Sequence, residues 1–170
     1  MTLQEIKLLF AYNSWASGLM FEALAQLSAE DYFKDLKSSH GGLHGTMTHL
    51  VGAEKIWLSR WVGKPDTSGL KAGDVKSLAE LMAIWEKVGR ETAGFVAKMK
   101  EKGLQEPLTI TTLKGDQYTS TYAQMFQHLV NHSTYHRGQI VTMMRQLGAQ
   151  PVSTDLIAFY RQIGGAVPSK

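Results

Sequence analysis

The stretch Thr121–Leu147, TYAQMFQHLVNHSTYHRGQIVTMMRQL, decides the fold. Its apolar positions Met125, Leu129, His132, His136, Ile140, Met143 and Leu147 advance in steps of 4, 3, 4, 4, 3 and 4, the period of one helical face. A helix over 121–147 is predicted, closed by Gly148 as its C-terminal cap and by Pro151. Two histidines stand in the core stripe one turn apart, so both imidazoles project from one face and can converge on one ion. A single histidine on such a face is more often a hydrogen-bonded core residue, but two in register both need buried partners. His128 and His132 form an alternative pair at the same spacing. His128 lies one ~100° step off the stripe and about 12 Å from His136 along the axis, which favours His132 with His136. The residue after His132 is Ser133, so the glutamate of an HExxH peptidase is missing and a peptidase is disfavoured.

Working outward, the β-branched run LTITTL, then Lys-Gly-Asp, then QYTST reads as a short hairpin that must lie against other elements. Before it, residues 75–100 carry the amphipathic stripe Leu78, Leu81, Met82, Trp85, Val88, Thr92, Phe95, Val96 and Met99. Residues 43–62 are apolar almost all round, with only Glu54, Lys55 and Arg60 charged in the helix body. Such a helix is either central or covered by a partner subunit. A first helix is predicted over 3–27, with Ser28 capping one further turn, and TDLIAFYRQ forms a last short helix capped by Ser153 or Thr154. The expected architecture is all-α: a single domain over 1–170, an up-down four-helix bundle with a short β-hairpin before the last long helix and a short C-terminal helix.

Composition narrows the chemistry. The 170 residues include no cysteine, which excludes disulfides, CxxC redox pairs, a cysteine nucleophile, iron–sulfur clusters and thiolate zinc sites. Any transition-metal site must use imidazole and carboxylate. The six histidines fall into two clusters, His40, His44 and His49, then His128, His132 and His136. A third ligand should come from a facing helix, and His49, beside Gly52, Ala53 and Ile56, is the natural candidate, although the pattern alone does not turn it inward. His40 and His44 flank Gly41-Gly42 and are expected at the surface. Eighteen Lys+Arg against fifteen Asp+Glu, scattered along the chain, argue against nucleic acid as the main partner. No apolar run is long enough to span a membrane, and no secretory leader is recognisable, so a cytoplasmic protein is expected.

Four blocks then carry a family resemblance: YNSWAS at 12–17, THLVGAEKIWLSRW at 48–61, NHSTYHRGQI at 131–140 and DLIAFYR at 155–161. In this order, across nearly the whole chain, they resemble the DinB-like (damage-inducible) family, with its YfiT-type and thiol-dependent transferase relatives. The resemblance implies a four-helix bundle holding a divalent metal on three histidines, here His49, His132 and His136. It also implies a homodimer, which suits the apolar helix 43–62.

Three histidines leave a coordination position open, the layout of a catalytic metal, and zinc or nickel is the expected ion. Such a centre could activate a bound water or a thiol; the relatives imply a low-molecular-weight thiol that attacks an electrophilic small-molecule substrate. Without cysteine, the sulfur must come from a cosubstrate. The alternatives are a non-catalytic, stress-induced metal-binding dimer, or a metal-assisted hydrolase using Glu54. Arg60 and Arg137 are the nearest cations in sequence, able to bind a carboxylate but expected in surface or interface ion pairs. Asn131, Tyr135 and Gln139 flank the ligands as candidates to orient them, whereas Trp15, Trp57, Trp61 and Trp85 read as core or interface aromatics.

Overall fold

The structure, a computed structural model, describes residues 1–112 and 114–164. Leu113, the end of the LTITTL run, and positions 165–170 of the expected domain lie outside the described residues. Among the described residues there are six α-helices: α1 Leu3–Leu24, α2 Ala29–Phe33, α3 Leu43–Trp61, α4 Leu78–Lys98, α5 Tyr122–Gln146 and α6 Leu156–Ile163. Strands β1 Pro107–Thr111 and β2 Gln117–Thr121 pair antiparallel, with Pro107 opposite Thr121 and Thr111 opposite Gln117. The all-α bundle, the hairpin before α5 and the short last helix are the architecture expected from sequence.

Local chemistry sets the boundaries. Thr2 with Glu5 and Thr121 with Gln124 form reciprocal capping boxes that start α1 and α5. Ser28 and Ser77 cap α2 and α4 by accepting from the backbone of Asp31 and Glu80. Gly148, at φ +73°, ends α5, and Ala149 N–H then bonds back to Met144 O at 3.0 Å. The last helix differs from expectation in its cap. Asp155 occupies that position, while Ser153 bonds to the Asp155 carboxylate and Thr154 O accepts from Tyr12 OH.

Side-chain pairs define how the helices run. His49 meets His136, Trp57 meets His128 and Trp61 meets Phe126, so α3 and α5 are antiparallel. Phe10 meets Phe126 and Asn13 meets Arg137, so α1 and α5 are parallel. Phe21 packs on Trp85, whereas Phe10 shares a groove with Val96, so α1 and α4 are antiparallel. Leu50 and Val51 share a core with Leu81, and Trp61 stacks on Phe95, so α3 and α4 are parallel. In chain order the four long helices run up, down, down, up, which corrects the alternating up-down order expected from sequence. A parallel neighbour requires the chain to travel back along the bundle, which residues 62–77 do.

That return segment settles the two readings of the apolar helix. Leu70 lies against Gly52, where an added Cβ would come 3.2 Å from the Leu70 Cβ. No residue of α3 is fully exposed, so α3 is the central helix and its own chain covers its outer face. Asp66 holds the segment down: its carboxylate accepts from Lys55 Nζ at 2.7 Å and from Ser68 and Gly69 N–H. No described helix is long and apolar enough to cross a membrane.

Candidate metal centre

Four imidazoles converge between α3 and α5. The ligand nitrogens of His40, His49 and His136 all lie within 4.8 Å of one another. His132 joins them from the turn before His136: its Nε2 is 3.1 Å from His49 Nε2, and its ring centroid is 4.4 Å from that of His136. All three histidines named from sequence therefore stand together. The antiparallel packing of α3 on α5 brings the first half of one helix against the second half of the other.

The fourth, His40, corrects the expectation of a surface histidine. Its ring stacks on His49 at 4.0 Å with 16° between planes and meets His136 edge-on at 5.3 Å. Backbone packing seats it there. Gly45, in the first turn of α3, lies so close that a Cβ would fall 1.9 Å from His40 O, and a Cβ on Gly42 would fall 2.2 Å from Lys34 O. Gly41 makes the turn at φ +83°, with its carbonyl accepting from Leu36 N–H at 2.7 Å. The run His-Gly-Gly-x-x-Gly is the signal that could have found His40.

His40 is half-buried, whereas His44 is buried and not at the surface. Its Nε2 donates to Ala72 O at 3.0 Å, which makes Nδ1 the acceptor for Tyr32 OH, also at 3.0 Å. His44 thus ties α2 and the turn Ala72–Asp74 to α3 and is spent on structure. His128 is exposed and sits edge-on to Trp57 at 5.4 Å, with its ring 5.8 Å from that of His132.

The donor set fits a cation. Burial, together with the neighbouring imidazoles, lowers the pKa of His49 and of His132 to about 4, and burial followed by His136 lowers that of His40. These rings are neutral at neutral pH, the state in which a lone pair can coordinate. Two nitrogens about 2.0–2.1 Å from a tetrahedral zinc lie roughly 3.3 Å apart, close to the 3.1 Å between His49 and His132. Gln139 Oε1 accepts from His136 Nδ1 at 2.7 Å, which leaves the Nε2 lone pair free. His132 Nδ1 is buried without a hydrogen-bond partner. Of the other flanking residues, Tyr135 is exposed with its ring centroid 5.1 Å from that of His136, and Asn131 is exposed.

Neither arginine makes the expected ion pair. Arg137 is fully buried: Nη1 donates to Asn13 Oδ1 at 2.8 Å, and Nη2 donates to Thr134 Oγ1 at 2.8 Å and to Tyr12 OH at 3.3 Å. Among the described residues, Arg60 has no carboxylate partner and lies over the Trp57 ring at 4.9 Å. Glu54 is buried five positions after His49, about 140° around the helix. It lines the groove between α1 and α4 with Asn13 and Thr92. Burial pushes its carboxyl up to about 7, against the pull of Arg137. A cleft of about 850 Å³ between α5 and the segment leading into α6 contains none of these histidines.

Comparison with known proteins identifies relatives of the whole chain. The chain is 26% identical over 154 residues to Protein DinB of Bacillus subtilis (strain 168), covering 86% of this chain and 88% of that one. It is 22% identical over 148 residues to the uncharacterised protein YizA of the same organism, covering 87% and 91% respectively. The crystal structure of a DinB-like protein from Bacillus cereus ATCC 10987 superposes with a TM-score of 0.62 at 21% identity, covering 82% of this chain and 92% of that one. The family model described as DinB family matches residues 1–164, and with the bundle and its clustered histidines in place, the chain belongs to the DinB family.

Proposed function

We propose that His49, His132 and His136 hold a divalent ion, zinc or nickel, and that the protein uses it as a thiol-dependent transferase acting on a small electrophile. The observation that carries this reading is the convergence of four imidazoles with no carboxylate among them. A divalent ion on such ligands keeps its full charge, attracts an anionic further ligand and lowers the pKa of a thiol placed against it. The chain's residues supply the rest: His49 and His132 present Nε2 to one point, and Gln139 orients His136. His40 borders the position a cosubstrate would take. The proposal includes a homodimer, for which Ile157, Tyr160 and Ile163 on α6 offer exposed apolar surface; sedimentation velocity measures it.

Zinc- or nickel-loaded protein, incubated with glutathione, bacillithiol or mycothiol and monochlorobimane, should form the thioether faster than the metal-free protein. Equal rates with and without metal for every thiol would remove the transferase reading. One observation favours a second reading: His40 supplies a fourth imidazole, and four protein ligands close a tetrahedral site, as in metal-binding proteins without catalysis. A hydrolase using Glu54 is disfavoured, because that carboxyl lines the α1–α4 groove.

A further inference from the structure

Arg60 occupies an unusual position for a cation. It lies in the last turn of α3, part-buried, and stacks on Trp57. Its one hydrogen bond among the described residues is a long one, Nη2 to Thr111 O at 3.5 Å. A guanidinium stays charged at any ordinary pH and carries five donors, so most of its bonding capacity is unused. It opens onto a cleft of about 500 Å³ between α3, α5 and the hairpin, walled by Trp57, Ile110, Tyr118, Met125 and His128. That volume is in the range of small-molecule sites. Among the described lining residues Arg60 is the one formal charge; Thr112, Ser120 and Gln124 add neutral polar groups, and most of the remaining wall is apolar or aromatic.

We propose that this cleft binds a small monocarboxylate with an aromatic or aliphatic body, its acid group on Arg60 and its body against Trp57, Ile110 and Met125. A planar carboxylate matches the guanidinium fork in geometry and cancels its charge. A dianionic phosphate would leave one charge uncompensated in an apolar cleft, which is costly. The site also adjoins the metal centre, because His128 in its wall is one helical turn from His132 and their rings are 5.8 Å apart. As the substrate arm of that centre the cleft rests on the function proposed above; as a carboxylate site it does not.

The full-length protein, metal-free and zinc-loaded, is titrated by calorimetry with 4-phenylbutyrate and with 4-phenyl-1-butanol, and zinc uptake is measured on the same samples. The acid should bind at least about tenfold more tightly than the alcohol, and Arg60→Met should remove that preference. Arg60→Lys should recover only part of it, since an ammonium keeps the charge but not the fork. Ser120→Phe, which fills the cleft from β2 and keeps Arg60, should abolish binding of both compounds. Circular dichroism and unchanged zinc uptake establish that the variants fold. Equal affinity for acid and alcohol, or full affinity in Arg60→Met or Ser120→Phe, overturns the site. Arg60-dependent binding without zinc uptake overturns the metal reading alone, and zinc uptake with Arg60-independent binding overturns this inference alone.

Discussion

His49 and His132, on different helices and 83 positions apart, bring their Nε2 atoms to within 3.1 Å of each other. Two neutral imidazoles can share one proton across that distance, or both can turn their lone pairs to one ion. His49→Ala, His132→Ala and His136→Ala should each cut zinc or nickel affinity by more than the roughly 10–100-fold that loss of an outer hydrogen bond costs. His40→Ala should retain the metal with an unchanged cobalt(II) absorption spectrum; a spectrum altered by loss of a ligand would favour the four-imidazole reading instead. Undiminished metal content in His132→Ala, measured by plasma emission, would refute the ligand set.

Gln139 acts on the centre through His136. Its amide oxygen fixes the proton on Nδ1 and so presents Nε2. Gln139→Leu removes that acceptor at similar volume, and metal affinity should drop about 10–100-fold while thermal stability changes little. Competition against a chromophoric chelator reads the difference.

Gly45 lets the His40 loop touch α3. Alanine there would place a methyl group 1.9 Å from His40 O, and backbone cannot yield as a flexible side chain can. Gly45→Ala should lose about 1–3 kcal/mol of stability through overpacking, and His40 should move away from His49. Urea unfolding gives the first outcome, and the ring shifts of His40 in a proton–nitrogen spectrum give the second.

The buried Arg137 is held by Asn13, Tyr12 and Thr134, with Glu54 as the nearby opposite charge. Arg137→Met strands three polar partners, for a loss of about 3 kcal/mol. Glu54→Gln keeps the shape and leaves the arginine its hydrogen bonds, so its loss should be clearly smaller. Equal losses would mean that the Glu54 charge, and not the hydrogen bonds, holds the arginine.

Acid sensitivity follows from His49 and His132. Their pKa values in the fold, about 4, lie below the usual 6.5, so between these limits the unfolded chain binds more protons than the folded one. Their contribution to stability is therefore complete above pH ~6.5 and is lost as pH falls towards ~4. The urea midpoint of metal-free protein should drop across that window. His132→Ala should flatten the drop.

The sequence made the bundle legible because each long helix keeps its apolar period, and it made His132 and His136 legible because they occupy core positions of one stripe. His49 needed the expectation that a facing helix completes the site. His40 was misread for a physical reason: a loop residue has no periodicity, and what seats it is close contact of Gly42 and Gly45 with backbone distant from them in space until folded. Arg137 sits off the counted stripe, and its burial depends on acceptors from α1 and a threonine one turn back. The helix directions were hidden as well, since they follow from the return path of 62–77 and from which cores the helices share.

Tyr12 OH donates to Thr154 O at 2.8 Å and accepts from Arg137 Nη2 at 3.3 Å. The residue next to His136 is thereby connected, through one phenol, to the chain beyond the bundle. A protein cut short before Thr154 would keep every histidine of the centre and still lose the far anchor of the helix that carries two of them. Tags, fusions and truncations at that end should therefore act on the histidine cluster from a distance, and variants meant to report its metal affinity should leave the segment 151–163 intact.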